Sequence, residues 1–126
     1  MGVEWLVRRE IPNILLAHNP NSFYRAAELG IQLTLAGHTH GGQVQVEILH
    51  RHMNPARFFT PFTAGLYQQP AGRAPSNSDS AGFISASSLQ PRGSSFLYVN
   101  RGLGTIGAPV RIGVPPEITL LTLRRA

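Results

Sequence analysis

A strand–helix–strand pattern at residues 13–37 constrains the fold more than any other feature of the sequence. The apolar runs NILLAH (13–18) and IQLTLAG (31–37) each have the length and composition of a buried strand. Between them, NPNSFYRAAELG (19–30) carries asparagines that suit a helix N-cap, a proline that suits the first turn and a glycine at the expected C-cap. Strands joined through a helix run parallel, with a right-handed crossover. The pattern therefore predicts an α/β fold.

Three histidines follow these two predicted strands at the points where the strands end. His18 closes the first run, and His38 and His40 lie in the loop GHTHGG after the second. Ligands of α/β proteins bind at the carboxyl ends of parallel strands, and neutral imidazole is the commonest protein metal ligand. We therefore expect the three imidazoles to converge at one sheet edge as metal ligands. The alternative is that they are structural histidines with ordinary hydrogen-bond partners.

The rest of the chain divides into predicted strands and a long polar stretch. QVQVEIL (43–49) alternates strictly between apolar and polar residues, and FLYVN (96–100) and EITLLTL (117–123) also have strand character. Residues 51–95 are instead rich in Pro, Gly and Ser. Within that stretch, we expect residues 70–82 to lie on the surface with little regular structure.

Composition narrows the classes of function. The 126 residues suit one domain, and the lack of cysteine excludes disulfides and thiolate metal sites. No apolar run approaches the roughly 18 residues of a membrane span, and the start has no leader pattern, so we expect a soluble chain. All 11 basic residues are Arg, against 6 acidic residues. Because no aromatic-interleaved basic stretch accompanies them, a compositional bias is favoured and no nucleic-acid partner is expected, with an Arg-rich nucleic-acid binder as the less favoured alternative.

Four blocks of the sequence together resemble a known family. ILLAHNP, LAGHTHGGQV, LYVNRGLGT and VPPEITLLTL, which fall within residues 13–49 and 96–123, resemble the C-terminal half of calcineurin-like metallophosphoesterases. The resemblance is to a bacterial branch that is often membrane-associated or exported. It implies a four-layer αββα sandwich that holds two divalent ions (Mn, Fe or Zn) and hydrolyses phosphate esters. It further implies that His18 and His38 bind the second ion and that His40 binds the first.

Other blocks of that family are absent from the sequence. The Asp-x-His, Gly-Asp and Gly-Asn-His-Asp blocks, which supply the bridging carboxylate and the histidine that assists the leaving group, are missing, and the only aspartate is Asp79. The resemblance therefore implies one partial domain over 1–126, with an insertion at about 68–95 and no nominated catalytic residue. We expect the chain alone to bind metal poorly and to be inactive. A separate N-terminal half, or a second copy covering an exposed sheet edge, would be its partner; the alternative is a non-catalytic truncated or split-protein fragment.

Three further residues are weighed against the same family pattern. Arg101 precedes a glycine-rich loop and is a candidate contact for a substrate phosphate, with loop hydrogen bonding as the alternative. His50 and His52 form another alternating pair that the family pattern does not use. We expect both to be solvated or packed histidines away from the metal site.

Overall fold

The computed structural model describes residues 3–42, 46–48, 51–53, 60–71, 93–107 and 109–124. Short 3-10 helices span Val3–Leu6 and His40–Gly42, and one α-helix, α1, spans Ser22–Glu28. The strands are β1 (Ile14–Ala17), β2 (Leu33–Ala36), β3 (Val46–Ile48), β4 (Arg51–Met53), β5 (Gly65–Pro70) and β6 (Ser94–Val99). Within the described ranges, no helix is long and apolar enough to cross a membrane.

The predicted strand–helix–strand unit is confirmed, and it forms half of a four-stranded sheet in the order β1-β2-β6-β5. β1 pairs in parallel with β2, from Ile14 opposite Leu33 to Ala17 opposite Ala36. β6 adds in parallel to the other side of β2, and β5 pairs antiparallel with β6. Because β1, β2 and β6 run in the same direction, their carboxyl ends lie at one edge of the sheet. This edge is called the site edge below.

The helix begins and ends with the local signals that the sequence carries. At its start, the Asn19 side chain accepts a hydrogen bond from the Asn21 backbone N–H (2.9 Å). At its end, Gly30 adopts a left-handed φ of 74°. The N–H groups of Gly30 and Ile31 then donate to the carbonyls of Ala27 and Ala26 (3.0 and 2.9 Å). This is a Schellman ending, which satisfies the last carbonyls of the helix and turns the chain into β2.

The core lies between α1 and one face of the sheet. It contains Phe23, Ala27, Ala36, Phe62, Tyr67, Leu97 and Val99. Phe62 precedes β5 and packs edge-on against both Phe23 and Tyr67, with ring centroids 5.7 and 5.1 Å apart. Its loop is attached to the start of the helix, because Thr60 donates to the Asn21 side chain (2.7 Å) and accepts from the Phe62 N–H (3.1 Å). The helix and the loop before β5 therefore close one side of the sheet together.

On the opposite face of the sheet, the edge strand β1 is exposed, whereas the central strands β2 and β6 are half-buried. Ile14 and Leu16 on β1 are 49% and 77% exposed, so β1 is less buried than the sequence predicted. The predicted strand at 117–123 is wrong, since these residues form no regular structure, and Ile118 and Leu120 are 85% and 91% exposed. A strand needs a neighbour to accept and donate its backbone hydrogen bonds. No described strand pairs with this segment.

The predicted insertion lies between β5 and β6, which pair with each other in the sheet. β5 and β6 pair from Gly65 opposite Val99 to Pro70 opposite Ser94. Just beyond, the Ala71 N–H donates to the Gly93 carbonyl (2.8 Å). At Pro70 the expectation for residues 70–82 is confirmed for surface exposure and wrong for irregular structure, because Pro70 is the exposed last residue of β5. The remainder from 72 onward lies outside the described residues. The sheet is therefore continuous up to the two ends of the insertion.

The alternating segment at 43–49 contributes a separate small hairpin. Its described part is β3, which pairs antiparallel with β4 from Val46 opposite Met53 to Ile48 opposite Arg51. β4 and β5 both fall inside the stretch 51–95 that composition marked as polar and irregular. These two strands were therefore not predicted from the sequence.

Candidate metal centre

The site edge brings His18 and His38 together. His18 follows β1 directly, and His38 lies two residues beyond the end of β2. Their imidazole rings are tilted by 49°, with centroids 4.3 Å apart. Both side chains are exposed at this edge. The parallel pairing of β1 and β2 thus unites two imidazoles that are distant in sequence, as the position of each histidine after its strand predicted.

The loop that carries His38 and His40 has an unusual backbone. Both residues have a left-handed φ, 70° and 50°, and they are the non-glycine residues with positive φ in the described part of the chain. This conformation costs an L-residue roughly 1–2 kcal/mol, and such strain concentrates at functional sites. The loop is held by the Thr39 hydroxyl, which donates to the Thr63 carbonyl (2.6 Å), and by the Gly42 N–H, which donates to the Thr39 carbonyl (2.7 Å).

Gly41, next in the loop, is required by its surroundings as well as by its backbone. It is buried and has a φ of 65°. A Cβ atom at this position would lie 2.6 Å from a Val114 methyl carbon and 2.8 Å from the Arg101 Cγ. The glycine therefore lets the histidine loop pack directly against the segment that follows β6.

The His40 ring is directed towards that same segment. Its Nδ1 lies 3.2 Å from the Gly104 carbonyl oxygen. A carbonyl oxygen only accepts, so this contact requires the hydrogen on Nδ1, and in a neutral ring Nε2 then keeps its lone pair. Metal-binding histidines commonly donate their second ring N–H to a carbonyl or carboxylate in this way. Within the described residues no three His, Asp or Glu side chains form a metal-sized group, so the expected cluster consists of a pair, with a third imidazole nearby in sequence.

Arg101 follows β6 at the site edge and is held by Glu117. The Arg101 Nε donates to the Glu117 Oε2 (2.7 Å), and the Arg101 backbone N–H donates to the same oxygen (3.2 Å). The hydroxyls of Tyr98 and Thr119 donate to the other carboxylate oxygen. Burial raises the pKa of Glu117, but the hydrogen bonds from Thr119, Tyr98 and Arg101 outweigh it and lower the pKa to about 2.

Sequence reasoning missed Glu117 and also Arg111, which contacts the histidine loop. Arg111 donates to the backbone carbonyls of His40 (3.3 Å) and Arg101 (3.0 Å). Glu117 lies in the PPEIT block that helped to carry the resemblance, whereas no signal in the sequence singles out Arg111. His50 lies outside the described residues, and His52 belongs to β4.

The sequence of the chain is similar to those of several named phosphoesterases. It is 33% identical over 112 residues to the uncharacterized metallophosphoesterase YkuE of Bacillus subtilis, a match that covers 89% of this chain and 31% of that protein. It is 36% identical over 118 residues to a Bos taurus transmembrane protein with metallophosphoesterase domain, covering 91% of the chain and 20% of that protein. The chain belongs to the metallophosphoesterase family. The predicted family resemblance is therefore confirmed.

A further relative is the phosphodiesterase YaeI of Escherichia coli, 28% identical over 113 residues, which are 90% of this chain and 33% of that protein. The chain thus spans between one fifth and one third of the length of these relatives. No family model matches the chain, and no solved structure matches it.

Proposed function

We propose that this chain supplies the histidine ligands of a dinuclear metal site in a phosphoesterase, and that the complete site hydrolyses phosphate esters. The observation that carries the proposal is the pairing of His18 and His38, whose rings lie 4.3 Å apart at the carboxyl ends of adjacent parallel strands. Because both imidazoles are exposed, they do not contribute to the packing of the core. In a metallophosphoesterase they suit a divalent ion.

The histidine ligands are of a type that suits such ions, but there are too few of them to fill two metal sites. Imidazole with carboxylate ligation suits Mn, Fe or Zn. We assign His18 and His38 to one ion and His40, through its Nε2, to the other. Carboxylates must complete both sites, and Glu117 is committed to Arg101, Tyr98 and Thr119. The remaining ligands must therefore come from chain beyond the described residues or from another polypeptide.

In the proposed hydrolysis, the metal ions, the histidine loop and Arg101 have different roles. When bound, a pair of divalent ions supplies an activated water and neutralises charge on the transferred phosphoryl group. The histidine loop, with its strained backbone, would orient the imidazoles. Arg101 would contact a phosphate oxygen, since Glu117 fixes its Nε while its side chain stays 35% exposed. A guanidinium fixed in this way offers its other N–H groups to phosphate in a set direction.

The complete domain, in this proposal, is a four-layer αββα sandwich of which this chain forms one part. The exposed face of β1 at Ile14 and Leu16, together with the exposed apolar residues at 118–123, marks the surface that the rest would cover. Exposed apolar area of this kind favours association. A separate N-terminal half or a second copy of the chain is the proposed partner.

Within the described residues, no His, Asp or Glu side chains form a metal-sized group of three, and this favours a second candidate, a non-catalytic fragment. The two are separated by complementation. The chain alone, supplied with Mn²⁺ or Zn²⁺, should show negligible turnover of an aryl phosphate ester, because it lacks a bridging carboxylate and a leaving-group acid, the latter typically worth about 10²–10⁴-fold. Adding the part of the E. coli phosphodiesterase that lies outside the match should produce metal-dependent hydrolysis. His38→Ala should abolish that rate, and His52→Ala, outside the family pattern, should not.

Three outcomes would count against the proposal. Hydrolysis by the chain alone that is lost in His38→Ala would mean that the chain builds a self-sufficient site. A complemented rate that survives His38→Ala would remove this histidine from the site. Failure of complementation with every partner fragment, although the chain is folded, would favour the non-catalytic fragment.

A further inference from the structure

Arg111 connects three parts of the chain by hydrogen bonds: the histidine loop at His40, residues 101–104 and Val114. Its guanidinium donates four hydrogen bonds, all to backbone carbonyls: Nε to Val114 (2.9 Å), Nη1 to Gly104, and Nη2 to both Arg101 (3.0 Å) and His40 (3.3 Å). In the described part of the chain, Arg111 takes part in no ion pair. Its planar fork is thus used to fix backbone, a task that a single ammonium group performs poorly.

The Gly104 carbonyl is the acceptor that Arg111 and His40 share. It accepts from the Arg111 Nη1 and from the His40 Nδ1 (3.2 Å). A carbonyl oxygen has two lone pairs, so both donors are accommodated. Arg111 therefore fixes the acceptor that decides which ring nitrogen of His40 carries the hydrogen.

Arg111 also acts on the His40 backbone. Its Nη2 donates to the His40 carbonyl, and this residue has the unfavourable left-handed φ of 50°. The same guanidinium thus contacts the backbone of His40, which carries the ring, and the Gly104 carbonyl, which the ring contacts. Removing it would release both at once.

We propose that Arg111 is a positioning residue that holds His40 in the Nδ1–H tautomer, which leaves the Nε2 lone pair available to a metal ion. The ligation part rests on the proposed function, and the tautomer part does not. In a neutral histidine, the hydrogen bond made by one nitrogen sets the protonation of the other. Without Arg111, the Nε2–H form, which cannot bind metal through Nε2, becomes populated.

The test reads the tautomer directly. Long-range ¹H–¹⁵N NMR of the full chain, without metal and at a pH where imidazole is neutral, should show His40 predominantly as the Nδ1–H form. Arg111→Met should shift it towards a mixture or the Nε2–H form. Arg111→Lys, which keeps the charge, should give an intermediate shift and provides the readout if the Met variant does not fold. Arg25→Met, which removes an exposed arginine paired with Glu4 and Glu28, is the matched control and should change nothing.

A second readout connects the tautomer to the site. In the complemented protein, Arg111→Met should raise the Mn²⁺ concentration for half-maximal hydrolysis by about 10–100-fold, the usual effect of losing a partner that orients a ligand. An unchanged His40 tautomer in folded Arg111→Met or Arg111→Lys, or an Nε2–H form in the unaltered chain, would overturn the inference. If the rate of complemented hydrolysis is unchanged in His38→Ala, the proposed function is contradicted instead, and the tautomer measured without metal is unaffected by that result.

Discussion

Acidification from pH 7 towards pH 2 is expected to remove about 2–3 kcal/mol of stability through one carboxylate, Glu117. Its side chain is 12% exposed and accepts hydrogen bonds from Thr119, Tyr98 and Arg101. Burial raises its pKa, but these bonds outweigh burial and lower the pKa from 4.5 to about 2. At roughly 1.4 kcal/mol per pKa unit, the shift corresponds to about 3 kcal/mol, and screening at the one-third exposed Arg101 brings the value slightly lower.

The direction of the pH dependence follows from the sign of the shift. Because the folded state lowers the pKa, the stabilisation is fully present above the ordinary value of 4.5 and is lost as the pH falls through about 2. Urea unfolding followed by circular dichroism at a series of pH values measures this loss. Glu117→Gln should be less stable at pH 7 and should lack the component of the pH dependence that falls between 4.5 and 2.

Glu28→Gln is the matched control. Glu28 pairs with Arg25 on the surface, where the two side chains are 31% and 55% exposed. Exposed pairs of this kind contribute about 1 kcal/mol or less, so this variant should unfold almost like the original chain. If Glu117→Gln keeps both the stability at pH 7 and the full pH dependence, the hydrogen bonds to the carboxylate do not stabilise the fold and the reasoning is refuted.

Three further perturbations test the fold and the loop. Phe62→Ala should cost about 3–5 kcal/mol in urea unfolding, because Phe62 is fully buried among three aromatic rings; a loss below about 1 kcal/mol would contradict that packing. Gly41→Ala should destabilise the chain by at least about 1 kcal/mol, since its Cβ would meet Val114 and Arg101 at 2.6 and 2.8 Å, and unchanged NMR shifts of the histidine loop would count against this. Replacing residues 72–92 with a short turn should preserve the pairing of β5 with β6, because Ala71 and Gly93 are already hydrogen-bonded, and loss of amide protection in β6 would show otherwise.

The parts of the fold that sequence predicted are those that local signals determine. The helix ends at Glu28, just before Gly30, because glycine readily adopts the left-handed conformation that follows a helix, and that preference is visible in the sequence. The parallel pairing of β1 and β2 follows from a helix that joins two apolar runs. The meeting of His18 and His38 is a direct consequence, since each follows its strand on the same edge of the sheet.

The parts that sequence did not predict depend on contacts between distant segments. Arg111 reaches carbonyls of the histidine loop and of the segment after β6, and no local pattern encodes such a contact. The segment 117–123 begins with the alternation of a strand, over residues 117–120, but alternation states only which side chains share a face. Whether a strand forms depends on a neighbouring backbone, which the described residues do not provide.

The assignment of the histidines to two ions is tested most directly by anomalous X-ray diffraction at the manganese edge, on the complemented protein loaded with Mn²⁺. Two manganese peaks are expected at the site edge, one contacted by His18 and His38 and the other by His40 through Nε2. A single ion bound by all three histidines, or ions that contact none of them, would contradict this assignment.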